Sequence, residues 1–181
     1  FSVNKRIDRL LDAMEALTDL SPGWKLDVVG SPSDLSEEDL RREIAGRGLA
    51  GQVTLHIGVD NAEVCRLIAE ASLFASASEY EGFGLVAVEA MSAGLVPVLH
   101  PNEAYRVLGA QHPGIFLADF ARPEECAARI EQAFQALLAQ PAAMREEMMA
   151  GASVHAWESV ADRYVDVYRA ALGARVLPQP R

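Results

Sequence analysis

The sequence predicts an α/β fold, a Rossmann-like, doubly wound parallel sheet with helices on both faces. Short apolar runs of about three to five residues alternate with segments of helical periodicity about five times along the chain. That order favours parallel pairing, because each strand is followed by a crossover long enough to bring the chain back to the same end of the sheet. No internal repeat and no low-complexity linker interrupts the alternation. Residues 1–181 therefore read as one domain, with a structured core over about 2–172 and a tail over 173–181.

Within residues 5–19, Ile7, Leu10, Leu11, Met14 and Leu17 recur at helix spacing with charged residues between them. Pro22-Gly23 breaks that helix, and Lys25–Val29 runs into Gly30 as a strand does. Ser31–Asp34 is a loop. Ser36 then opens a helix whose first turn sets Glu37, Glu38 and Asp39 against the positive helix end, and Gly48 suits its stop. Val53–Ile57 is the next strand, ending at Gly58, and Asp60 or Asn61 caps a helix to about Ala71. Leu73–Ala75 is a short buried strand, Ser76–Gly84 a loop, and Leu85–Ala93 an apolar helix closed by Gly94. Val96–Leu99 is a strand and Pro101-Asn102 a turn. A short helix over 103–109, a strand near Ile115–Leu117 and a helix over about Pro123–Ala139 follow. Pro141 opens another helix, an amphipathic one spans about 157–172, and Leu177–Arg181 reads as loose tail.

Composition narrows the function classes. Sixteen Lys and Arg stand against 26 Asp and Glu, for a formal charge of −10 and a pI near 4.8. Net charge therefore argues against nucleic acid or anionic lipid as a partner of this chain. No apolar run approaches the roughly 20 residues of a membrane span, so the chain is expected to be soluble. Cys65 and Cys126 lie in helix-like segments and read as small core residues in a reducing compartment. His56, His100, His112 and His155 show no metal-ligand spacing. The chain begins with Phe1 and no leader-like segment follows, which reads as a piece of a longer protein or a trimmed one.

In open parallel sheets, ligands sit beyond the carboxyl ends of the strands, where loops and helix N-termini converge. Three such loops stand out: Gly30–Ser33, Ile57–Asn61 and Ser76–Gly84. The third feeds an almost wholly apolar helix. Gly82 and Gly84 let the backbone approach a ligand closely, and the N–H groups around Gly84–Val86 suit a phosphate. The loop is neither a Walker loop nor the dinucleotide fingerprint, since no Gly-Lys-Ser/Thr and no third glycine at the required spacing follows. The competing meaning is a glycine turn that merely starts a buried helix.

Glu89 argues for a ligand. It lies in Val86-Ala87-Val88-Glu89-Ala90-Met91, where a buried carboxylate is costly unless strongly hydrogen-bonded, and near a cleft it suits the two adjacent hydroxyls of a ribose. The competing roles are a core Glu with a backbone or Arg partner, or a solvated one. Glu81 is held against the glycines, whereas Glu79 reads as solvated. Lys5, at the start of the first helix, is placed to reach a diphosphate if a strand precedes it; a solvated lysine is the plainer alternative. Arg6 and Arg9 are weaker candidates for the same role.

The run Glu81-Gly-Phe-Gly-Leu-Val-Ala-Val-Glu89-Ala-Met-Ser-Ala-Gly94-Leu-Val-Pro97-Val resembles the Glu-x7-Glu signature of retaining glycosyltransferases with two Rossmann domains, the GT-B fold. It is closest to the large family that includes sucrose synthase-like and bacterial cell-envelope mannosyl- and glucosyltransferases. The wider stretch Ser76–Asn102 looks like the branch of mannosyltransferases that build bacterial exopolysaccharide on a polyprenyl-diphosphate carrier. Lys5-Arg-Ile-Asp-Arg-Leu-Leu resembles that family's lysine-to-helix segment, and Lys25–Gly30 and Val53–Gly58 resemble two of its strands. Trp157 and Tyr164 to Tyr168 resemble its closing helix, so the likeness covers roughly residues 2–170.

The resemblance implies the C-terminal, nucleotide-sugar-binding half of such an enzyme, with an acceptor-binding N-terminal domain outside the chain. It implies that Lys5 holds the donor diphosphate and that the N–H groups at Phe83, Gly84 and Leu85 bind phosphate and sugar. Glu81 takes hydroxyls of the transferred sugar, Glu89 takes the ribose, and Gly30, Ile57 and Gly58 lie on the nucleotide side. One departure stands out: the family has an arginine five residues before this lysine, a position that falls just before Phe1. The chain alone is expected to bind donor weakly and to transfer nothing.

The chemistry so implied is transfer of a hexose, with retention, from GDP-mannose to a glycan or polyprenyl-diphosphate-linked oligosaccharide. No cofactor and no metal are expected, because the sequence has no Asp-x-Asp pair. The implied location is cytoplasmic, with peripheral association at the inner face of the bacterial membrane. A UDP-sugar donor is the nearest alternative, since no residue decides between guanine and uracil. A non-catalytic nucleotide-sugar-binding domain is a second alternative. A Rossmann oxidoreductase is disfavoured by the missing glycine fingerprint.

Overall fold

The computed structural model describes residues 1–173. A single turn of 3-10 helix, Val3–Lys5, leads into α1 (Ile7–Leu20), followed by β1 (Leu26–Gly30), α2 (Glu37–Gly46), β2 (Val53–Ile57), α3 (Asn61–Glu70) and β3 (Leu73–Ser76). Then come α4 (Leu85–Ser92), β4 (Val96–Leu99), α5 (Glu103–Gln111), β5 (Phe116–Leu117), α6 (Pro123–Ala139), α7 (Pro141–Ser153) and α8 (Trp157–Gly173). Every strand pairing is parallel, as the alternation predicts. The expected tail over 174–181 lies outside the described residues, and Gly173 ends α8 rather than beginning a tail.

The local signals that start each helix act through the predicted atoms. Ser36 and Asp39 form a reciprocal capping box at α2, each satisfying a main-chain N–H that the helix itself leaves unpaired. Asp60 accepts from the Glu63 N–H at α3, and Asn102 from the Tyr105 N–H at α5. Pro123 and Pro141 occupy first-turn positions, where a missing N–H costs nothing.

The sheet differs from expectation in one respect: it is divided. β1 pairs with β2, and β3, β4 and β5 form a separate three-stranded sheet in that order. Residues Phe1–Asn4 bridge the two parts through main-chain bonds. The Phe1 N–H donates to the Ser31 carbonyl, the Leu35 N–H donates to the Phe1 carbonyl, and the Glu79 N–H donates to the Asn4 carbonyl at 3.0 Å.

All four residues of β4 are buried. Because successive side chains point to opposite faces of a sheet, that strand must be covered on both sides, and α4, α6 and α7 pack against it. The α6 helix also packs on α1, and Trp24 joins this contact with its ring 4.9 Å from that of Phe134. One apolar cluster thus runs from Ile7, Leu11 and Leu17 through Val98 and Leu99 to Ile130 and Leu137.

Two sequence expectations fail on burial. Cys126 is a core residue, and burial pushes its thiol up to about 12, but Cys65 lies on the exposed side of α3. The helical period around Cys65 turns Leu67, two positions on, inward instead. The amphipathic α8 forms as predicted, yet none of its residues is buried, because no described element covers its apolar stripe.

Where α7 hands over to α8, His155 lies 3.1 Å from His112, Nε2 to Nε2. Burial first, then the charges of His112 and Arg163, hold His155 below the usual imidazole value of 6.5. The unfolded chain therefore binds the proton more readily than the folded one. Stability should be full above about pH 6.5 and fall as the pH drops toward the depressed folded value. His155→Gln should flatten that fall. Urea midpoints at about pH 7.5 and 5.5 check this, and an unchanged difference between them refutes it.

Candidate functional site

The loops after β1 and β3 meet the N-terminal segment Phe1–Asn4, which joins the two sheets, and the candidate residues collect at the carboxyl ends of the strands there. On the first sheet, Gly30 and Ile57 are register partners, and the Gly58 N–H donates to the Gly30 carbonyl at 3.0 Å. This pairing sets the two predicted loops side by side. Gly30 is also closed in from one side: a Cβ there would stand 2.7 Å from the Phe1 ring.

On the second sheet, the Ser76–Gly84 loop is held from two directions. The N-terminal segment grips it from outside. Asn4 donates its amide to the Tyr80 carbonyl at 2.9 Å and accepts from the Tyr80 N–H at 3.1 Å, imitating a strand pairing with a side chain. Arg6 and Arg9 both pair with Glu79, Arg9 at 2.8 Å. Glu79 is therefore not simply solvated, as its exposed loop position suggests. Arg6 and Arg9 are likewise engaged with this carboxylate, Arg6 with Asp8 as well, and they tie the loop to the start of α1.

From inside, the loop is held by buried polar groups. Ser76, Ser78 and Asn102 are the buried polar side chains among the described residues, and all three lie at this end of β3 and β4. Asn102 donates to the Ser78 carbonyl at 2.9 Å while its oxygen caps α5. The core elsewhere is apolar, so this concentration marks the carboxyl edge as the place where polar positioning was retained at a desolvation cost.

The centre of the site is the contact between Lys5 Nζ and Glu81 Oε1, at 2.6 Å. The two residues are 76 positions apart. Lys5 is half exposed, whereas the Glu81 side chain retains 13% of its accessible surface. Beside them begins α4. Its N-cap residue, Gly84, has φ 85°, and no side chain caps the helix. The N–H groups of Leu85 and Val86 find no protein acceptor among the described residues and carry the positive end of the helix dipole. A cation, a carboxylate and free N–H donors thus meet at one helix start, a combination matched to a phosphate with hydroxyls nearby.

Phe83 and Leu85, at 50% and 63% exposure, flank this helix start. The Phe83 ring meets His155 edge-on at 5.4 Å. Glu89 departs from expectation. It is exposed and has no hydrogen-bonded or ionic partner for its carboxylate among the described residues, so the burial cost that singled it out does not arise. The helical period explains this, because Leu85 and Glu89 share the outward stripe of α4 while Ala87, Val88, Ala90 and Met91 face the core. Its position still suits a ligand, since the carboxylate stands one turn from the helix start and is free to accept.

Sequence reasoning missed Asn4, Asn102 and Tyr105. Asn102 carried a signal, an Asn directly after Pro101 and before a helical period. Asn4 and Tyr105 carried none, because their partners lie 76 and 29 residues away.

Residues 1–148 match the family model described as Glycosyl transferases group 1. The chain is 35% identical over 173 residues to the GDP-mannose:cellobiosyl-diphosphopolyprenol alpha-mannosyltransferase of Xanthomonas campestris, covering 96% of this chain and 46% of that protein. It is 37% identical over 183 residues to the protein of the same name from Komagataeibacter xylinus, covering 99% of this chain and 45% of that one. The chain thus spans about half the length of these curated relatives. Its fold matches the pneumococcal O-GlcNAc transferase GtfA, solved with UDP and GlcNAc, at a TM-score of 0.75 and 20% identity over 94% of this chain and 34% of that one.

Proposed function

This chain belongs to the Glycosyl transferases group 1 family, and we propose that it is the nucleotide-sugar-binding half of a retaining hexosyltransferase that uses GDP-mannose. The observation that carries the reading is the meeting of Lys5, Glu81 and the uncapped start of α4 at the carboxyl edge of the sheet. The two relatives named as GDP-mannose-dependent enzymes support the donor assignment, since both align with nearly the whole chain. Their greater length supports an acceptor-binding domain outside this chain.

In this reading Lys5 and the N-terminus of α4 hold the donor diphosphate. When the sugar–phosphate bond breaks, the leaving nucleoside diphosphate gains negative charge, and both groups face that charge in the transition state. No metal is needed for this step. Glu81 accepts from the hydroxyls of the transferred sugar, and Glu89 from the two ribose hydroxyls. The acceptor hydroxyl attacks on the face from which the diphosphate departs and passes its proton to the departing diphosphate oxygen, so configuration is retained without a protein nucleophile. Glu81 and Glu89 are not a glycosidase pair, because such a pair must flank one scissile bond and Glu89 is committed to the ribose.

The acceptor proposed is a polyprenyl-diphosphate-linked oligosaccharide, which brings the full-length protein to the inner face of the bacterial membrane. No helix among the described residues is long and apolar enough to cross a membrane.

Titration calorimetry of the full-length protein against GDP-mannose, UDP-glucose and UDP-N-acetylglucosamine tests the reading. GDP-mannose should bind most tightly. Preference for a UDP-sugar refutes the assigned donor while keeping the reaction class. Binding of none of the three overturns the functional reading.

A further inference from the structure

Tyr105 is fully buried, with 0% of its surface exposed, yet its hydroxyl leaves the apolar layer toward the carboxyl edge of β3. There it lies 3.1 Å from Ser76 Oγ and 3.5 Å from Glu81 Oε1. Ser76 Oγ is in turn 3.1 Å from Ser78 Oγ. A hydroxyl has one proton to donate and two lone pairs to accept with, so three such groups ending on a carboxylate can be ordered in one direction. The Tyr105 hydroxyl faces two acceptors, Ser76 Oγ and Glu81 Oε1, and its single proton can go to Glu81, which can only accept, when Ser76 turns its own proton toward the Tyr105 oxygen. Burial, as the main cause, pushes the Tyr105 phenol up to about 12, so it keeps its proton at neutral pH.

Lys5 holds the same Glu81 oxygen at 2.6 Å. A diphosphate that recruits Lys5 draws away the shorter of these two contacts. The remaining side-chain donor to Glu81 among the described residues is then Tyr105. From this geometry we propose that Tyr105 is a positioning residue for Glu81: its hydroxyl fixes Oε1 and leaves Oε2 to the hydroxyls of the donor sugar. Its ring and main chain are themselves fixed, the ring against Gly84 and the main-chain N–H by Asn102. The inference rests on the donor reading above and extends it to a residue beyond the Glu-x7-Glu run.

Tyr105→Phe tests it, because the ring that packs on Gly84 is kept and only the hydroxyl is lost. Calorimetry on the full-length protein compares GDP with GDP-mannose. GDP lacks the sugar and makes no demand on Glu81, so its affinity should stay within about twofold, while GDP-mannose should weaken by about tenfold, the scale of one hydrogen bond to a charged group. Unchanged GDP-mannose binding by Tyr105→Phe overturns the proposal. Equal losses for GDP and GDP-mannose also overturn it, since they mean the hydroxyl supports the loop as a whole. Failure of the wild-type protein to bind GDP-mannose or either UDP-sugar is a different result, which removes the donor reading and this assignment with it.

Discussion

Gly84→Ala should lower folding stability by about 2–5 kcal/mol and abolish measurable donor binding. Two independent effects add at this position. The backbone there has φ 85°, which a Cβ disfavours by about 1–2 kcal/mol. The new Cβ would also stand 2.6 Å from Cε1 and 3.1 Å from Cδ1 of Tyr105. That ring is fully buried, so it has no open space to swing into, and overpacking of this kind costs about 1–3 kcal/mol. Relief requires either the α4 start or Tyr105 to shift, and both shifts disturb the uncapped N–H groups of Leu85 and Val86. Urea unfolding midpoints with an unchanged slope measure the stability loss. Gly84→Ala combined with Tyr105→Leu should recover the packing part and leave the backbone part. A loss below about 1 kcal/mol in the single variant would mean that the loop yields without strain, contrary to this account.

Glu89→Ala should weaken the binding of GDP and GDP-mannose alike by about 10- to 100-fold while leaving stability within about 0.5 kcal/mol of wild type. The stability expectation follows from exposure. The Glu89 carboxylate has no protein partner among the described residues, and Ala favours a helix at least as well as Glu. The affinity expectation follows from what a ribose loses, its charged acceptor: a hydrogen bond to a charged group contributes about 1.5–3 kcal/mol net, which corresponds to about 10- to 100-fold. Because both ligands carry the ribose, the loss must be shared between them. This distinguishes Glu89 from Tyr105, whose removal should separate the two. Calorimetry checks the result directly, and unchanged affinity for GDP refutes the ribose role.

Much of the architecture was legible in the residues, since it rests on interactions short in sequence. Val53–Ile57 and Val96–Leu99 end where the apolar run meets a turn or loop residue, and the observed β2 and β4 match these bounds. Ser36, Asp60 and the two helix-opening prolines act within three residues of themselves, so their effect follows from spacing alone. The Glu81–Glu89 run was legible for the same reason, being one loop and one helix.

The failures share a different cause. Cys65 and Glu89 were expected on the buried side, because an apolar stretch tells which residues are helical more surely than which way each one faces. The direction is set by neighbours that the stretch does not contain. α8 shows the same limit from the other side: its amphipathic period is plain, but the period does not name what covers the apolar stripe. Glu79 was expected to be solvated, whereas Arg6 and Arg9 reach it from another part of the chain.

The sequence by itself determined an alternating α/β chain with parallel strands, a glycine-started apolar helix and a Glu-x7-Glu run at its entrance. Local hydrogen bonding, backbone permissiveness and hydrophobic period suffice for these, because each acts over a few residues. Only the tertiary structure decided that Lys5 meets Glu81, that Asn4 clasps Tyr80, and that a buried tyrosine from α5 stands beneath both Gly84 and Glu81. Those contacts join residues 21 to 76 positions apart, and they exist because the N-terminal segment and the loops after β3 and β4 come together in space rather than in sequence.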